Sequence, residues 1–174
     1  MKYILAPNPV SPNNLRRICP PYGSVWPVYD TEDEMITATV ARWQETGYII
    51  GNDYHIVDEA DLPGGAVTED SDEAEFFDAW EWDGTVKVNM VKARLIHMDR
   101  IRAARNAELA AKDITFMRAV ESGDTAAQAT IATEKQVLRD LPATFDLSGK
   151  NTSSTLHAVQ HGGYCWYSCP TGRT

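Results

Sequence analysis

Four histidines, three cysteines and a set of closely spaced arginines are the residues of this 174-residue chain with the chemistry of a functional site. Cys165 with His157 or His161 has the residue types of a thiolate nucleophile and its base. Such a pair works only when a rigid scaffold holds both groups within hydrogen-bond reach. These three lie in a terminal segment with a Gly162-Gly163 pair and no apolar periodicity. His55 and His97 stand apart in sequence, no serine sits in a GxSxG elbow, and neither Gly-Gly pair is followed by a phosphate-binding pattern. The residues therefore point to a non-enzyme without a catalytic site or a cofactor. Cys19, Cys165 and Cys169 are too few for a disulfide scaffold, and with four histidines they make no convincing zinc set, so no metal is expected. Cys165 and Cys169 carry two readings: a disulfide within the tail or to a neighbouring subunit outside a reducing compartment, or reduced and incidental thiols.

The arginines sit in the longest stretch free of helix breakers, Met90 to Asp140, which holds no proline and a single glycine. Two helices broken near Ser122-Gly123-Asp124 give an antiparallel hairpin over residues 89–141, with Asn89 as the first N-cap and the second helix ending before Pro142. Ile101, Ala104, Ala107, Ala111, Ile114 and Met117 recur at three- and four-residue spacing and are expected to share one face. Leu95, Met98, Leu109, Phe116 and Val120 form a second stripe, more apolar surface than two helices bury between them. Either the N-terminal lobe or a partner chain covers the excess. Arg102 and Arg105, three apart, are spaced to meet carboxylates at the rim of such a contact.

The elements around the hairpin are shorter. KYIL near the N-terminus reads as a strand, and SVWPVYD as an edge strand because Pro27 has no amide hydrogen to give a central ladder. Thr31 caps a helix opened by Glu32, Asp33 and Glu34, with Met35, Ile36, Val40 and Trp43 as its apolar stripe and Gly47 as its end. YIIGNDYHIVDEADLP follows as one strand or as a hairpin turned at Gly51-Asn52-Asp53. Together these predict an α+β chain: a small β-α-β lobe over 1–62, an acidic linker and aromatic segment over 63–88, the helical hairpin over 89–141, and an irregular, extended C-terminal tail over 142–174. Phe76, Phe77, Trp80 and Trp82 are expected to pin the linker against a core, with an aromatic ligand platform as the lesser reading.

Charge is unevenly placed: residues 1–83 hold 4 Lys/Arg against 17 Asp/Glu, and 84–174 hold 12 against 8. The asymmetry favours separate modules or head-to-tail contact between copies of the chain, a homo-oligomer. It argues against nucleic acid, because the arginines alternate with apolar and acidic residues and form no continuous basic stripe. The acidic segment 63–75 lacks the ligand spacing of a calcium loop. No run approaches the roughly 18 apolar residues of a membrane helix, and the N-terminus has no long apolar core of a signal peptide, so neither a membrane nor export by the usual route is expected.

The order of residues along the hairpin resembles the bacteriophage tail assembly chaperone and tail-fibre assembly families. The pattern falls on Arg102 and Arg105, Leu109, Asp113, Arg118-Ala119, Gly123-Asp124, Lys135-Gln136 and Leu138-Arg139-Asp140. Phe77, Ala79 and Trp80, the Met90-Lys92-Ala93-Arg94 run and the preceding VDEADLP also match, so the likeness covers about residues 54–147. The tail beyond Leu147, with its CxxxC, departs from it. The resemblance implies a protein that binds a tail-fibre or baseplate subunit during assembly in the host cytoplasm or during attachment. Its partner-binding residues would be Arg102, Arg105, Leu109, Asp113, Phe116, Met117 and Val120. Retention in the virion tail is the favoured form. A transient chaperone absent from the mature virion is the alternative, and an acidic regulatory binding module is the second.

Overall fold

The computed structural model describes residues 1–8, 15–18, 29–65 and 71–159, and it is α+β. The chain divides into two compact units, Met1–Ala93 and Arg94–Thr174.

The first unit is organised by β1 (Lys2–Pro7), whose run Tyr3-Ile4-Leu5-Ala6 is apolar at every position and buried on both sides. It lies at the centre of a three-stranded antiparallel sheet, between β2 (Leu15–Ile18) and β3 (His55–Asp58). The helix α1 (Glu32–Glu45) connects the two outer strands, a split β-α-β arrangement. Ile4, Ala6 and Ile18 face Ile36 and Val40 of α1, together with Ile49. Thr31 caps α1 by accepting a hydrogen bond from the Glu34 amide at 3.2 Å, and the ammonium of Lys2 donates to Asp33 at 2.8 Å. Of the two readings of residues 48–63, the single strand is the one formed. The expected strand over 24–30 and Cys19 lie outside the described residues, apart from Tyr29 and Asp30.

The opposite face of the sheet is where the aromatic segment after the acidic stretch packs. Tyr3, Leu5, Leu15 and Val57 point there, and Leu62, Trp80 and Val86 cover them. Trp80 is fully buried, donates its indole N–H to the Glu73 carbonyl at 3.0 Å and meets Phe77 edge-on. It belongs to β4 (Trp80–Trp82), which pairs with β5 (Val86–Val88), and the short helix α2 (Asp72–Glu75) precedes it. The physical reason is that a strand apolar on both sides needs a cover on both, and the aromatic cluster supplies the second. The lobe therefore extends to residue 93 rather than 62. β2 was not anticipated either: Arg16 lies over the Tyr48 ring at 4.7 Å and Arg17 over the Tyr3 ring at 5.5 Å, so two arginines serve as strand residues by covering aromatic faces.

The second unit is built on α3 (Met90–Glu121), whose first residues still belong to the first unit, and α4 (Thr125–Thr144). Asn89 caps α3, its side-chain oxygen accepting from the amides of Val91 and Lys92 at 2.9 and 3.1 Å. Gly123 makes the turn with a φ of 69°, and Asp124 caps α4 by accepting from the Ala127 amide at 2.9 Å. The second helix passes through Pro142 to Thr144, beyond the expected end at Leu141. Pro142 has no amide hydrogen for the Leu138 carbonyl and its ring crowds the preceding turn, and the helix runs only two residues past it. Residues 145–159, expected as extended tail, instead turn into α5 (Ser153–His157), opened by a capping box between Thr152 and Thr155.

Candidate partner-binding surface

The two long helices run antiparallel and are tied across their length by polar contacts. Lys112 pairs with Glu134 at 2.6 Å and Asp113 pairs with Lys135. Nearer the open end Arg105 donates to the Arg139 carbonyl at 3.3 Å, and near the turn Gln128 donates to the Ala119 carbonyl at 3.1 Å. Ile131 and Leu138 of α4 are buried, while Leu109 and Phe116 of α3 are half-buried, the Phe116 ring lying 5.2 Å beneath the Lys135 ammonium.

The N-terminal half of α3 is held differently. Ala93, His97, Ile101 and Ala104 recur every three or four residues and are buried, as are Leu147 and Leu156 after α4. Within the second unit Arg94 donates to the Lys150 carbonyl at 3.1 Å and to the Asn151 side chain at 2.7 Å, and His97 Nε2 lies 2.7 Å from the Val159 carbonyl oxygen. These bonds fasten the segment after α4 back onto α3. His97 is thus a packing residue whose partner stands 62 positions away, which no local pattern signals.

The expected single face from Ile101 to Met117 is not one face. Each step of three residues falls about 60° short of a full turn, so the set drifts around the helix. Ile101 and Ala104 are buried, whereas Ala107, Ala111, Ile114 and Met117 are exposed. Ile114 and Met117 stand 58% and 56% open to solvent.

The seven residues expected to bind a partner do share one side of α3 by their helical positions. Arg102 is exposed and pairs with Asp99 at 2.7 Å; Arg105 is half-buried and also donates to Asn106 at 3.0 Å. Asp113 is exposed and held by Lys135, and Leu109 and Phe116 lie half-covered. Met117 and Val120 are open, Val120 by 45%, and Leu95 joins the same side at 62%. Leu95, Arg102, Leu109, Asp113, Phe116 and Val120 thus form a rail of apolar side chains with an arginine and a carboxylate along it. Cys165 and Cys169 lie outside the described residues, as does His161.

At the base of α3, Lys92 and then Asn89 hydrogen-bond the Glu81 carboxylate and hold its pKa below the ordinary glutamate value. In the loop after α4 the side chain and amide of Ser148 lower the pKa of Asp146. Among the described residues no group of three or more His, Cys, Asp or Glu side chains is placed to hold a metal ion. No helix among them is long and apolar enough to cross a membrane. Comparison with known protein families, with curated proteins and with solved structures gives no match for this chain.

Proposed function

We propose that this chain is a non-enzymatic bacteriophage tail protein that binds a tail-fibre or baseplate subunit through the rail on α3 and stays in the virion. The observation that carries the reading is that Leu95 and Val120, 62% and 45% exposed, stand in line with Arg102 and Asp113 on the side of α3 where Leu109 and Phe116 are only half-covered. Large apolar side chains aligned beside charged ones suit the centre and rim of a protein interface. The order of residues from Arg102 to Asp140, which resembles tail assembly proteins, supplies the class of partner. In the same reading the acidic first unit stays away from nucleic acid.

The test is co-purification from phage-infected cells followed by mass spectrometry of purified particles. A tail-fibre or baseplate subunit is expected to come down with the wild-type chain and to be lost with Leu95→Asp and Val120→Asp. Capture of no tail component overturns the reading. Capture from cells but absence from mature particles replaces retention by a transient chaperone role.

A further inference from the structure

The sheet of the first unit ends in a strand paired on one side only. β3 bonds β1, and among the described residues no strand runs along its other side. Which of its backbone groups face that open side follows from the register. The Glu59 amide donates to the Met1 carbonyl at 2.9 Å, and bonded pairs alternate with unbonded ones along an antiparallel ladder, so Val57 and His55 turn their backbone groups toward β1. Ile56 and Asp58 turn theirs outward. The same alternation puts Pro7, which has no amide hydrogen, at an unbonded position opposite Leu15.

The two faces of this edge differ in their side chains. On one, His55 is covered by the Trp82 ring, with centroids 3.8 Å apart. On the other, Ile56 is 47% exposed and Asp58 is its neighbour along the strand. At the end of β3 a cleft of about 560 Å³ is lined by Met1, Asp58, Glu59, Ala60 and Asp61. Glu59 accepts from the Tyr3 hydroxyl at 3.3 Å, whereas Asp58 and Asp61 are exposed and make no salt bridge among the described residues.

We propose that β3 is extended by a strand from another protein, a basic segment in which a Lys or Arg stands two positions from an apolar residue. Its backbone bonds Ile56 and Asp58, its apolar side chain lies against Ile56, and its cation enters the cleft among the carboxylates. Charge selects this occupant over a second copy of the chain. Pairing two β3 strands antiparallel about Ile56 sets Glu59 toward Asp53 of the other copy, and pairing about Val57 sets Asp61 there, so like charges meet in both registers. A basic segment gives the same carboxylates a partner. The inference concerns the first unit and is independent of the rail on α3.

The experiment is an NMR titration of the isotope-labelled full chain with the capped peptide Ser-Arg-Thr-Val-Thr-Arg-Ser. The peptide is a palindrome, so an arginine stands two residues from valine in either strand direction. At saturation, hydrogen exchange at the Ile56 and Asp58 amides is expected to slow, while the Val57 amide, already bonded to β1, stays as it was. Asp58→Asn combined with Asp61→Asn is expected to weaken binding roughly tenfold through the loss of charge-assisted contacts. Ile56→Pro removes an N–H that β1 does not use and is expected to keep the sheet, read by circular dichroism, and lose the peptide. Ile56→Lys keeps that N–H, sets a like charge beside the arginine, and is expected to lose the peptide as well. No binding by the wild type, or equal binding of the peptide N-methylated at valine, overturns the proposal. Binding without slowed exchange at Ile56 and Asp58 also overturns it, because the carboxylates then only attract a cation. Exchange at these amides that slows with protein concentration in the absence of peptide overturns the basic segment in favour of a second copy.

Discussion

Replacing Trp80 with alanine tests the finding that residues 71–88 are a layer of the first unit rather than a connector. A tryptophan buried to this degree removes roughly 200 Å² from water, which at about 25 cal/mol per Å² corresponds to roughly 5 kcal/mol. Alanine keeps a small part of that, a compact unfolded chain lowers it further, and the Glu73 carbonyl loses its donor. The expected destabilisation is about 4 kcal/mol, within the usual span for Trp→Ala in a core. Trp80→Phe keeps an aromatic plug and loses the indole hydrogen bond, and is expected to cost about 2 kcal/mol. Trp82 is the internal control: only two positions away, it is exposed and stacks on His55 with ring centroids 3.8 Å apart. Trp82→Ala is expected to cost about 1 kcal/mol or less. Urea unfolding followed by circular dichroism at equal protein concentration reads all three variants. If Trp80→Ala loses no more stability than Trp82→Ala, the second core is not as described and the segment is a connector after all.

Three further outcomes follow from single contacts. Asp124→Ala removes the cap of α4 and is expected to lower stability by about 1 kcal/mol in the same unfolding experiment. His97→Ala deletes a buried ring and its bond to Val159; hydrogen exchange is expected to show lost protection at the Leu156 and Val159 amides while the middle of α4 stays protected. In an NMR titration Glu81 is expected to titrate below the ordinary glutamate value, and Lys92→Met to move it back up. Because its folded value is depressed, the stabilisation it contributes is present above the unfolded glutamate pKa and is lost as pH falls through the folded one.

The long helices were readable because their signals are local. A stretch without proline, a single glycine at the turn and capping side chains at Thr31, Asn89 and Asp124 all act within four residues. β2 was hidden because its two central residues are arginines, and their strand role depends on rings supplied by Tyr48 and Tyr3 elsewhere in the chain. The aromatics after the acidic stretch were legible as the cover of a core, but which core was not, because the need for a second cover over β1 shows only once both faces of that strand are closed. On α3 the candidate rail was legible as a set of residues, but how far α4 covers Leu109 and Phe116 was not. The set from Ile101 to Met117 does not share one face because most of its steps are three residues long, and three such steps already rotate a residue half-way around the helix.

The central position of β1 also has a consequence in time. Its partners are residues 15–18 and 55–58, and the side chains that close its second face come as late as Val86, so this sheet joins sequence-distant segments. The hairpin of α3 and α4 closes through a turn of three residues between neighbours in sequence. Contacts between distant segments form slowly and local helical ones fast. During synthesis the second face of the apolar run Tyr3–Ala6 therefore stays open until Val86 has emerged, and this interval is the one in which the nascent chain is most exposed to aggregation.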